Sequence, residues 1–273
     1  MFPLLLLLFF GFLFDTELVE PRVTERVDLA RFFDEEKLAG SFLLYDLRKD
    51  AYTAYRYDRC QQGFLPASTY KIINTLIGLE TGILTDENTS MKWDGVKRGN
   101  ENWNRDNTVR TAFQVSCVPC YQELARKIGL ERMRSFVKKA DYGHMDIQPD
   151  NLDTFWLMGN SRISQREEIE FLRRVYLGKT TSFSERSRSI LKNVMLIDDK
   201  PTHRLYGKTG WASAPDSLVA KTPDIGWFVG YVEKGNDVYF FATNIEHKAP
   251  IPANFIASRR RITDRILMEL GIL

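Results

Sequence analysis

The chain has 273 residues, of which 44% are hydrophobic, so it can bury a full core as one large domain or as two closely packed lobes. Its 38 basic and 36 acidic residues leave a formal net charge of +2. This balance, without a basic stripe interleaved with aromatic residues, argues against nucleic-acid binding.

The first segment is strongly apolar. Residues 2–14 are apolar apart from one Gly and one Pro, and polar residues begin at Asp15. The run is short for a membrane span and is typical of the apolar part of a signal peptide, although no Lys or Arg precedes it and no Ala-x-Ala site follows it. We therefore predict a signal peptide over about residues 1–20, with cleavage before Arg22, and a single catalytic domain over residues 21–273. The alternative is a retained membrane anchor.

Cysteine and histidine are sparse. The cysteines are Cys60, Cys117 and Cys120, and the Cys117-x-x-Cys120 pair resembles half of a zinc or redox motif without a second half. The three histidines have no metal-ligand spacing either. We expect no metal site, and we interpret Cys117 and Cys120 as two small buried thiols on a helix.

The N-terminal half of the domain predicts a hairpin followed by helices. Apolar and polar residues alternate from Gly40 to Asp58, which indicates two strands joined by a turn. A helix is predicted to begin at Ser68 and to end at Gly82, a suitable C-cap. Further helices are predicted over residues 121–140, 165–176 and 185–196. The helix over residues 165–176 opens with a capping box at Ser164.

Strand patterns return after Pro201. One strand is predicted over residues 204–211, an antiparallel pair over 225–232 and 238–245, and a closing helix over 255–270. Strands at both ends with helices between them predict an α+β fold, in which an antiparallel sheet is built from both termini and a helical lobe is inserted. We expect the active site at the junction of sheet and lobe.

Two short motifs point to chemistry at that junction. Ser68-Thr69-Tyr70-Lys71 at a helix start puts a hydroxyl and an amine one turn apart, so the lysine, or a group it carries, can take the serine proton. Lys208-Thr209-Gly210 on a strand offers a cation and a hydroxyl to a substrate carboxylate, and the glycine permits close backbone approach. Together they predict an active-site serine acylase, although Ser68 alone is equally suited to be a helix N-cap.

The order and spacing of further motifs identify a family. After Ser68 and Lys71 come Ser116-x-Val118, Tyr142-Gly143, Phe155-Trp156-Leu157-x-Gly159 and Lys-Thr-Gly-Trp, ending at Trp211. From about Leu38 to the C-terminus the chain resembles the class D β-lactamases, within the penicillin-recognising serine enzymes. The resemblance implies a serine β-lactamase/penicillin-binding transpeptidase-like fold. It also implies an exported, periplasmic hydrolase of β-lactam antibiotics that confers resistance, or a secreted one where no outer membrane exists.

The resemblance also assigns the catalytic groups. Ser68 matches the nucleophile that carries the acyl-enzyme, and Lys71 matches a lysine carbamylated by CO₂ or bicarbonate (N6-carboxylysine) that acts as general base. Trp156 matches the indole that donates a hydrogen bond to that carbamate, and Ser116 matches a proton shuttle to the leaving nitrogen. No metal or organic cofactor is implied. An ordinary ion-paired Lys71 and a core Trp156 are the alternatives.

The substrate-binding groups follow in the same way. Lys208, Thr209 and Arg259 would hold the substrate carboxylate, although three consecutive arginines leave the register of the last residue open. Gly210 and Trp211 complete that strand, and the backbone N–H groups of Ser68 and Trp211 would form the oxyanion hole. Val118 and Leu157 match apolar positions that shield the carbamate and gate its water.

Several residues depart from the family pattern. Tyr70 stands where the family usually has Phe, Ile73 where Pro is common, His144 where Asn is usual, and Cys117 lies inside the Ser-x-Val motif. None of them removes a group that the mechanism requires. They leave the rate and the range of substrates open.

Three other functions remain to be distinguished from a β-lactamase. A penicillin-sensor domain would be acylated at Ser68 and stay acylated, but such receptors carry several membrane helices, which one short apolar stretch is not expected to supply. A D,D-peptidase would act on cell-wall peptides, and a catalytically dead module would only bind the cell wall. We expect a small-molecule β-lactam substrate and no stable membrane insertion after signal removal. The sequence does not indicate an oligomeric state.

The apolar leader generates a prediction of export. The mature protein should lack residues 2–14 and should be found outside the cytoplasm, because the apolar run ends sharply at Asp15. N-terminal sequencing of the active protein checks this. Active protein that retains Met1 in the soluble cytosolic fraction would contradict it.

Overall fold

The computed structural model describes residues 21–180, 182–213, 223–248 and 250–273. The predicted signal peptide, residues 1–20, lies outside these ranges. Within them, no helix is both long enough and apolar enough to cross a membrane.

A seven-stranded sheet forms the base of the described structure. In spatial order its strands are β1-β3-β2-β9-β8-β7-β6, and neighbours are antiparallel except that β1 is parallel to β3. Strands β4 and β5 form a separate small sheet. The strands are β1 Arg22–Glu25, β2 Ala39–Asp46, β3 Ala51–Tyr55, β4 Ser90–Met91, β5 Asn107–Thr108, β6 Leu196–Lys200, β7 His203–Ala212, β8 Asp224–Lys234 and β9 Asp237–His247.

The chain order of these strands confirms the predicted architecture. Strands β1 to β3 precede the helical lobe and β6 to β9 follow it, so the sheet is built from both ends of the domain. The α-helices of the described residues are α1 Ala30–Glu36, α2 Tyr57–Cys60, α3 Lys71–Glu80, α4 Val109–Gln114, α5 Val118–Ile128, α6 Leu130–Ala140, α7 Gln165–Tyr176, α8 Glu185–Met195 and α9 Phe255–Glu269.

Two apolar cores hold the sheet in place. On one face, α1 and α9 cover a core that includes Phe33, Phe228 and Ile262. On the other face, the sheet packs against the helical lobe in a larger core that contains most of α3. Every residue of α3 from Lys71 to Leu79 is buried, so the helix that follows the Ser68 turn lies at the centre of the molecule.

Most predicted elements are confirmed, but one predicted helix is divided and several elements were not predicted. The helix predicted over residues 121–140 is two helices, α5 and α6, separated by Gly129. Gly129 has a φ of +81°, outside the helical region and readily adopted only by glycine, so the helix cannot continue through it. The elements that were not predicted are strands β1, β4, β5 and β6 and helices α1, α2 and α4. The capping box at the start of α7, between Ser164 and Glu167, is confirmed.

The prediction of two thiols at Cys117 and Cys120 is wrong. The two residues form a disulfide, because Cys117 is the N-cap of α5 and Cys120 lies in the first turn of that helix, where their side chains meet. Cys60 is buried with a free thiol, and burial raises its pKa to about 12. The disulfide lies between Ser116 and the body of α5, so it fixes the backbone at a motif of the candidate site.

Candidate active site

The Ser68 turn joins the sheet to the helical lobe. Ser68 lies within a 3-10 turn, Ala67–Tyr70, that runs directly into α3, so it is not an N-cap. Ala67 has a φ of +51°, which is strained for a residue with a side chain, and its N–H donates to the carbonyl of Trp156 over 2.8 Å. Ser68 as a residue is 7% exposed.

Lys71 lies directly behind the serine. Its Nζ is 2.8 Å from the Ser68 Oγ, and the side chain is fully buried. The ring of Tyr121 packs 5.3 Å from the Nζ. No carboxylate of the described residues pairs with this amine, and burial lowers its pKa to about 7. A large fraction of Lys71 is therefore neutral at physiological pH, so an ordinary ion-paired lysine does not describe it.

Ser116 and Lys208 meet across the cleft. The Lys208 Nζ donates to the Ser116 Oγ over 3.1 Å and to the Thr209 carbonyl over 2.9 Å. Ser116 itself has a φ of +54°, a second strained position at the site. Burial, together with the charges of Lys71 and Arg259, holds the pKa of Lys208 well below its usual value. The lobe and the sheet therefore contribute one hydrogen-bonded group each.

Gly210 allows strand β7 to pass against the Ser68 turn. A Cβ at this position would lie 3.2 Å from the Pro66 carbonyl oxygen and 3.3 Å from the Ser68 nitrogen. A larger residue would push the strand away from the nucleophile. Trp227, on the neighbouring strand, ties the same turn to the sheet by donating to the Leu65 carbonyl over 2.9 Å.

Arg259 reaches the same strand from α9. Its Nη1 donates to the Gly210 carbonyl over 2.6 Å, and its side chain is 8% exposed. Gly226 makes room for it, because a Cβ there would lie 3.0 Å from the Arg259 side-chain carbons. The other two arginines of the run are engaged elsewhere: Arg260 pairs with Asp198 and Asp264, and Arg261 pairs with Glu36.

The site gathers three basic side chains without a carboxylate partner among the described residues. Lys71, Lys208 and Arg259 are all buried, and none of them has an ion-pair partner among the described residues. The pKa of each is lowered, that of Arg259 to about 10, with burial as the main cause. Burying cations without anions is unfavourable, so the arrangement favours the binding of an anionic group beside Ser68.

Trp156 forms the back of the Ser68 turn. Its ring stacks on Tyr70 with 5.3 Å between centroids, and it is fully buried. Its indole Nε1–H is buried and has no hydrogen-bond partner in the described part of the chain. An unpaired buried donor is unfavourable, so this N–H is available to an acceptor placed next to the turn. Val118 and Leu157 are partly buried, as expected of residues that border a cleft.

The residues that depart from the family pattern are placed as follows. His144 is exposed, and its backbone pairs with Arg162. The hydroxyl of Tyr70 contacts the Met133 sulfur inside the core. Trp211 is 41% exposed at the end of the cleft strand, and its indole N–H donates to Asp224 over 2.7 Å.

One residue of the site region was missed from the sequence. Glu168 of α7 is fully buried and contacts Thr69, next to the nucleophile. The helical period offered a signal, since Gln165, Glu168 and Leu172 share the stripe that α7 buries.

Comparison with known proteins agrees with this geometry. The penicillin binding protein transpeptidase domain family matches residues 33–268. β-Lactamase OXA-48 of Klebsiella pneumoniae is 40% identical over 241 residues, which cover 88% of this chain and 87% of that protein. The crystal structure of a class D β-lactamase from Nostoc superposes with a TM-score of 0.84 at 41% identity, covering 90% of this chain and 99% of that one.

The chain belongs to the class D β-lactamases. It is therefore a serine hydrolase of the penicillin-recognising fold. A sensor is also similar to this β-lactamase: the C-terminal domain of the Bacillus licheniformis BlaR penicillin-receptor has a TM-score of 0.84 at 29% identity, covering 93% of this chain and 98% of that one. No group of His, Cys, Asp and Glu among the described residues could hold a metal ion.

The contacts of the three arginines generate a prediction. Arg259→Ala should weaken binding of a β-lactam by about 1.5–3 kcal/mol, mostly as a raised KM, because the charge that the family resemblance assigns to the substrate carboxylate would be lost. Arg259→Lys should also lose affinity, because an ammonium cannot form two parallel bonds to a carboxylate. Steady-state kinetics with a penicillin measures both effects.

Arg260→Ala and Arg261→Ala are the matched controls. Both residues are paired with carboxylates, Arg260 with Asp198 and Arg261 with Glu36, so these variants should keep the wild-type KM. A large effect at either position, with none at Arg259, would contradict the assignment of Arg259.

Proposed function

We propose that this β-lactamase hydrolyses β-lactam antibiotics through an acyl-enzyme on Ser68, with a carbamylated Lys71 as general base. The observation that carries the proposal is the buried Ser68–Lys71 pair, in a cleft whose basic residues have no carboxylate partner among the described residues. β-Lactams bring the missing anion, since they carry a carboxylate beside the reactive ring.

In the acylation step, the Ser68 Oγ attacks the lactam carbonyl and loses its proton. The C–N bond of the ring then breaks, and its nitrogen takes up a proton. Ser116 lies between the nucleophile side and Lys208, whose ammonium or amine is 3.1 Å from the Ser116 hydroxyl. We assign Ser116 the role of passing that proton to the leaving nitrogen.

Lys71 is suited to carbamylation. The reaction needs a neutral amine, and burial gives Lys71 a pKa of about 7. The carbamate would supply an anionic base for the Ser68 proton and later for the hydrolytic water. The unpaired indole N–H of Trp156 is a donor that fits an added oxygen acceptor next to the turn. Val118 and Leu157 would limit the access of water to it.

Substrate orientation is assigned to strand β7 and α9. Lys208, Thr209 and Arg259 would bind the carboxylate of the antibiotic, and the backbone N–H groups of Ser68 and Trp211 would stabilise the oxyanion. The exposed ring of Trp211 is placed to contact a substrate side chain. We further propose that the protein is exported to the periplasm, where hydrolysis would confer resistance.

Replacing the nucleophile tests the reaction. Ser68→Ala should abolish hydrolysis of a chromogenic cephalosporin, because the Ser68 hydroxyl is the one that is hydrogen-bonded to Lys71 Nζ among the described residues. Intact-protein mass spectrometry of the wild type with a slow substrate should give one adduct, on the peptide that contains Ser68. Undiminished turnover by the variant would falsify the assignment.

The same assay separates an enzyme from a sensor. A sensor of the BlaR type would release one stoichiometric burst of product and then stop, whereas a hydrolase sustains turnover. Sustained turnover by wild type is the expected result, given the similarity to several β-lactamases.

Carbamylation of Lys71 predicts a dependence on pH and on CO₂. Activity should fall as the pH drops below about 7, where the amine is protonated, and bicarbonate should restore part of it. A carbon-13 signal from labelled bicarbonate would report the carbamate directly. Trp156→Phe keeps the packing but removes the indole donor, so it should need more bicarbonate, with a loss of about 1.5–3 kcal/mol in carbamate stability.

Lys71→Ala serves as the control for both measurements and should give neither the carbon-13 signal nor the response to bicarbonate. Wild-type activity that is independent of bicarbonate after degassing at low pH would count against the carbamate.

A further inference from the structure

Glu168 is a buried carboxyl group placed directly beneath the nucleophile turn. Its side chain is fully buried on α7. The Oε1 lies 2.5 Å from the Thr69 Oγ1 and 3.0 Å from the Tyr142 hydroxyl, which donates to it. The Oε2 has no hydrogen-bond partner among the described residues. Glu168 contacts neither Ser68 nor the cleft, so the mechanism proposed above does not use it.

The hydrogen-bond pattern fits a protonated Glu168. The Thr69 Oγ1 also lies 2.7 Å from the Pro66 carbonyl, and a hydroxyl has only one hydrogen to donate. If that hydrogen goes to Pro66, the bond between Thr69 and Glu168 must carry the carboxyl proton. A neutral Glu168 therefore completes one directed chain, in which Tyr142 donates to Glu168, Glu168 to Thr69, and Thr69 to Pro66.

Ionisation of Glu168 would break this chain. The carboxylate would draw the Thr69 hydroxyl away from the Pro66 carbonyl, and Oε2 would become a buried anionic oxygen without a donor. Pro66 directly precedes Ala67, whose strained φ of +51° needs the surrounding bonds to hold it. Ser68 directly follows Ala67, so the backbone angle of Ala67 sets the orientation of Ser68.

The groups around Glu168 do not favour its charge. The pKa of Glu168 is raised to about 7, with burial as the largest cause; the bonds with Thr69 and Tyr142 lower it, and the charge of Glu167 raises it. The other titratable groups on the surfaces that face α7 are bonded elsewhere. These are Tyr70, Tyr45 with Asp50 and Arg173, Tyr52 with Glu170 and Arg166, and Arg174 with the carbonyls that precede Tyr142.

We propose that neutral Glu168 is a positioning residue that holds the Ser68 turn through Thr69 and Pro66, so that its ionisation slows acylation. The proposal rests on Ser68 being the nucleophile. In this proposal, acylation slows at alkaline pH because Glu168 loses its proton, and it slows at acidic pH because Lys71 gains one. Wild-type acylation should therefore have a bell-shaped pH profile.

The same ionisation has a consequence for stability. The pKa of Glu168 is higher in the folded protein than the ordinary value of 4.5, so the folded state binds the proton more tightly than the unfolded state does. The stabilisation from this group is complete below the unfolded pKa and is lost as the pH rises through about 7. Glu168→Gln, which is neutral at every pH, removes this dependence.

The test compares wild type with Glu168→Gln and with Glu167→Gln as the matched control. Glu167 is exposed on the same helix, and a glutamine keeps its capping box. The rate constant of Ser68 acylation by a chromogenic cephalosporin is measured by stopped flow from about pH 6 to about pH 9. In Glu168→Gln the alkaline limb should vanish or move up by about one pH unit or more, with the acidic limb unchanged. Glu167→Gln should keep the alkaline limb, moved to lower pH if at all, because the charge of Glu167 raises the pKa of Glu168. Any limb that belongs to Lys208 is common to all three proteins.

Two further readouts separate a positioning role from a merely structural one. Tyr142→Phe removes a donor that favours the carboxylate, so it should move the alkaline limb of acylation to higher pH. The infrared band of a protonated carboxylic acid should be present in wild type, titrate away with the same midpoint and be absent in Glu168→Gln.

If a β-lactam acylates Ser68 of the wild type, but Glu168→Gln leaves the pH profile of acylation unchanged, the proposal for Glu168 is overturned and the proposed function is not. A wild type that no β-lactam acylates at Ser68 overturns the proposed function, and this inference with it.

Discussion

Lys71 is buried at the base of the cleft, with no carboxylate of the described residues paired to it, and the remaining features of the site follow from that constraint. A buried ammonium without an anion is unfavourable, so the amine becomes neutral near pH 7 and is available as a base or for reaction with CO₂. The constraint is imposed by α3, whose first residues are all buried at the centre of the lobe. A carboxylate next to Lys71 would restore its charge and remove this chemistry.

Close packing between the lobe and the sheet places the other site residues next to Ser68 and Lys71. Gly210 lets strand β7 run against the Ser68 turn, and Gly226 leaves space for Arg259 behind it. Lys208 then reaches Ser116 on the opposite wall. The strained residues Ala67 and Ser116 lie on the two loops that meet there, which is where backbone strain is commonly found in enzymes.

Burial shifts the pKa values of Lys71 and Glu168, the two buried titratable groups near the nucleophile, in opposite directions. Burial favours the neutral form of each, so the pKa of Lys71 falls to about 7 and that of Glu168 rises to about 7. Near neutral pH the uncharged form of each group is therefore substantially populated. Arg259, whose pKa of about 10 keeps it charged, contacts the Gly210 carbonyl on the strand that also carries Lys208.

The sequence by itself determined the fold class, the family and the candidate residues from Ser68 to Arg259, because these depend on local periodicity and on the order of short motifs. It did not determine the break at Gly129, since the sequence does not fix the backbone angle that ends α5 there. It also did not predict the disulfide between Cys117 and Cys120, which depends on how the first turn of α5 directs the two side chains. The tertiary structure alone decided which of three arginines faces strand β7 and that Glu168 lies under the nucleophile, because both follow from how helices pack on the sheet and on the Ser68 turn.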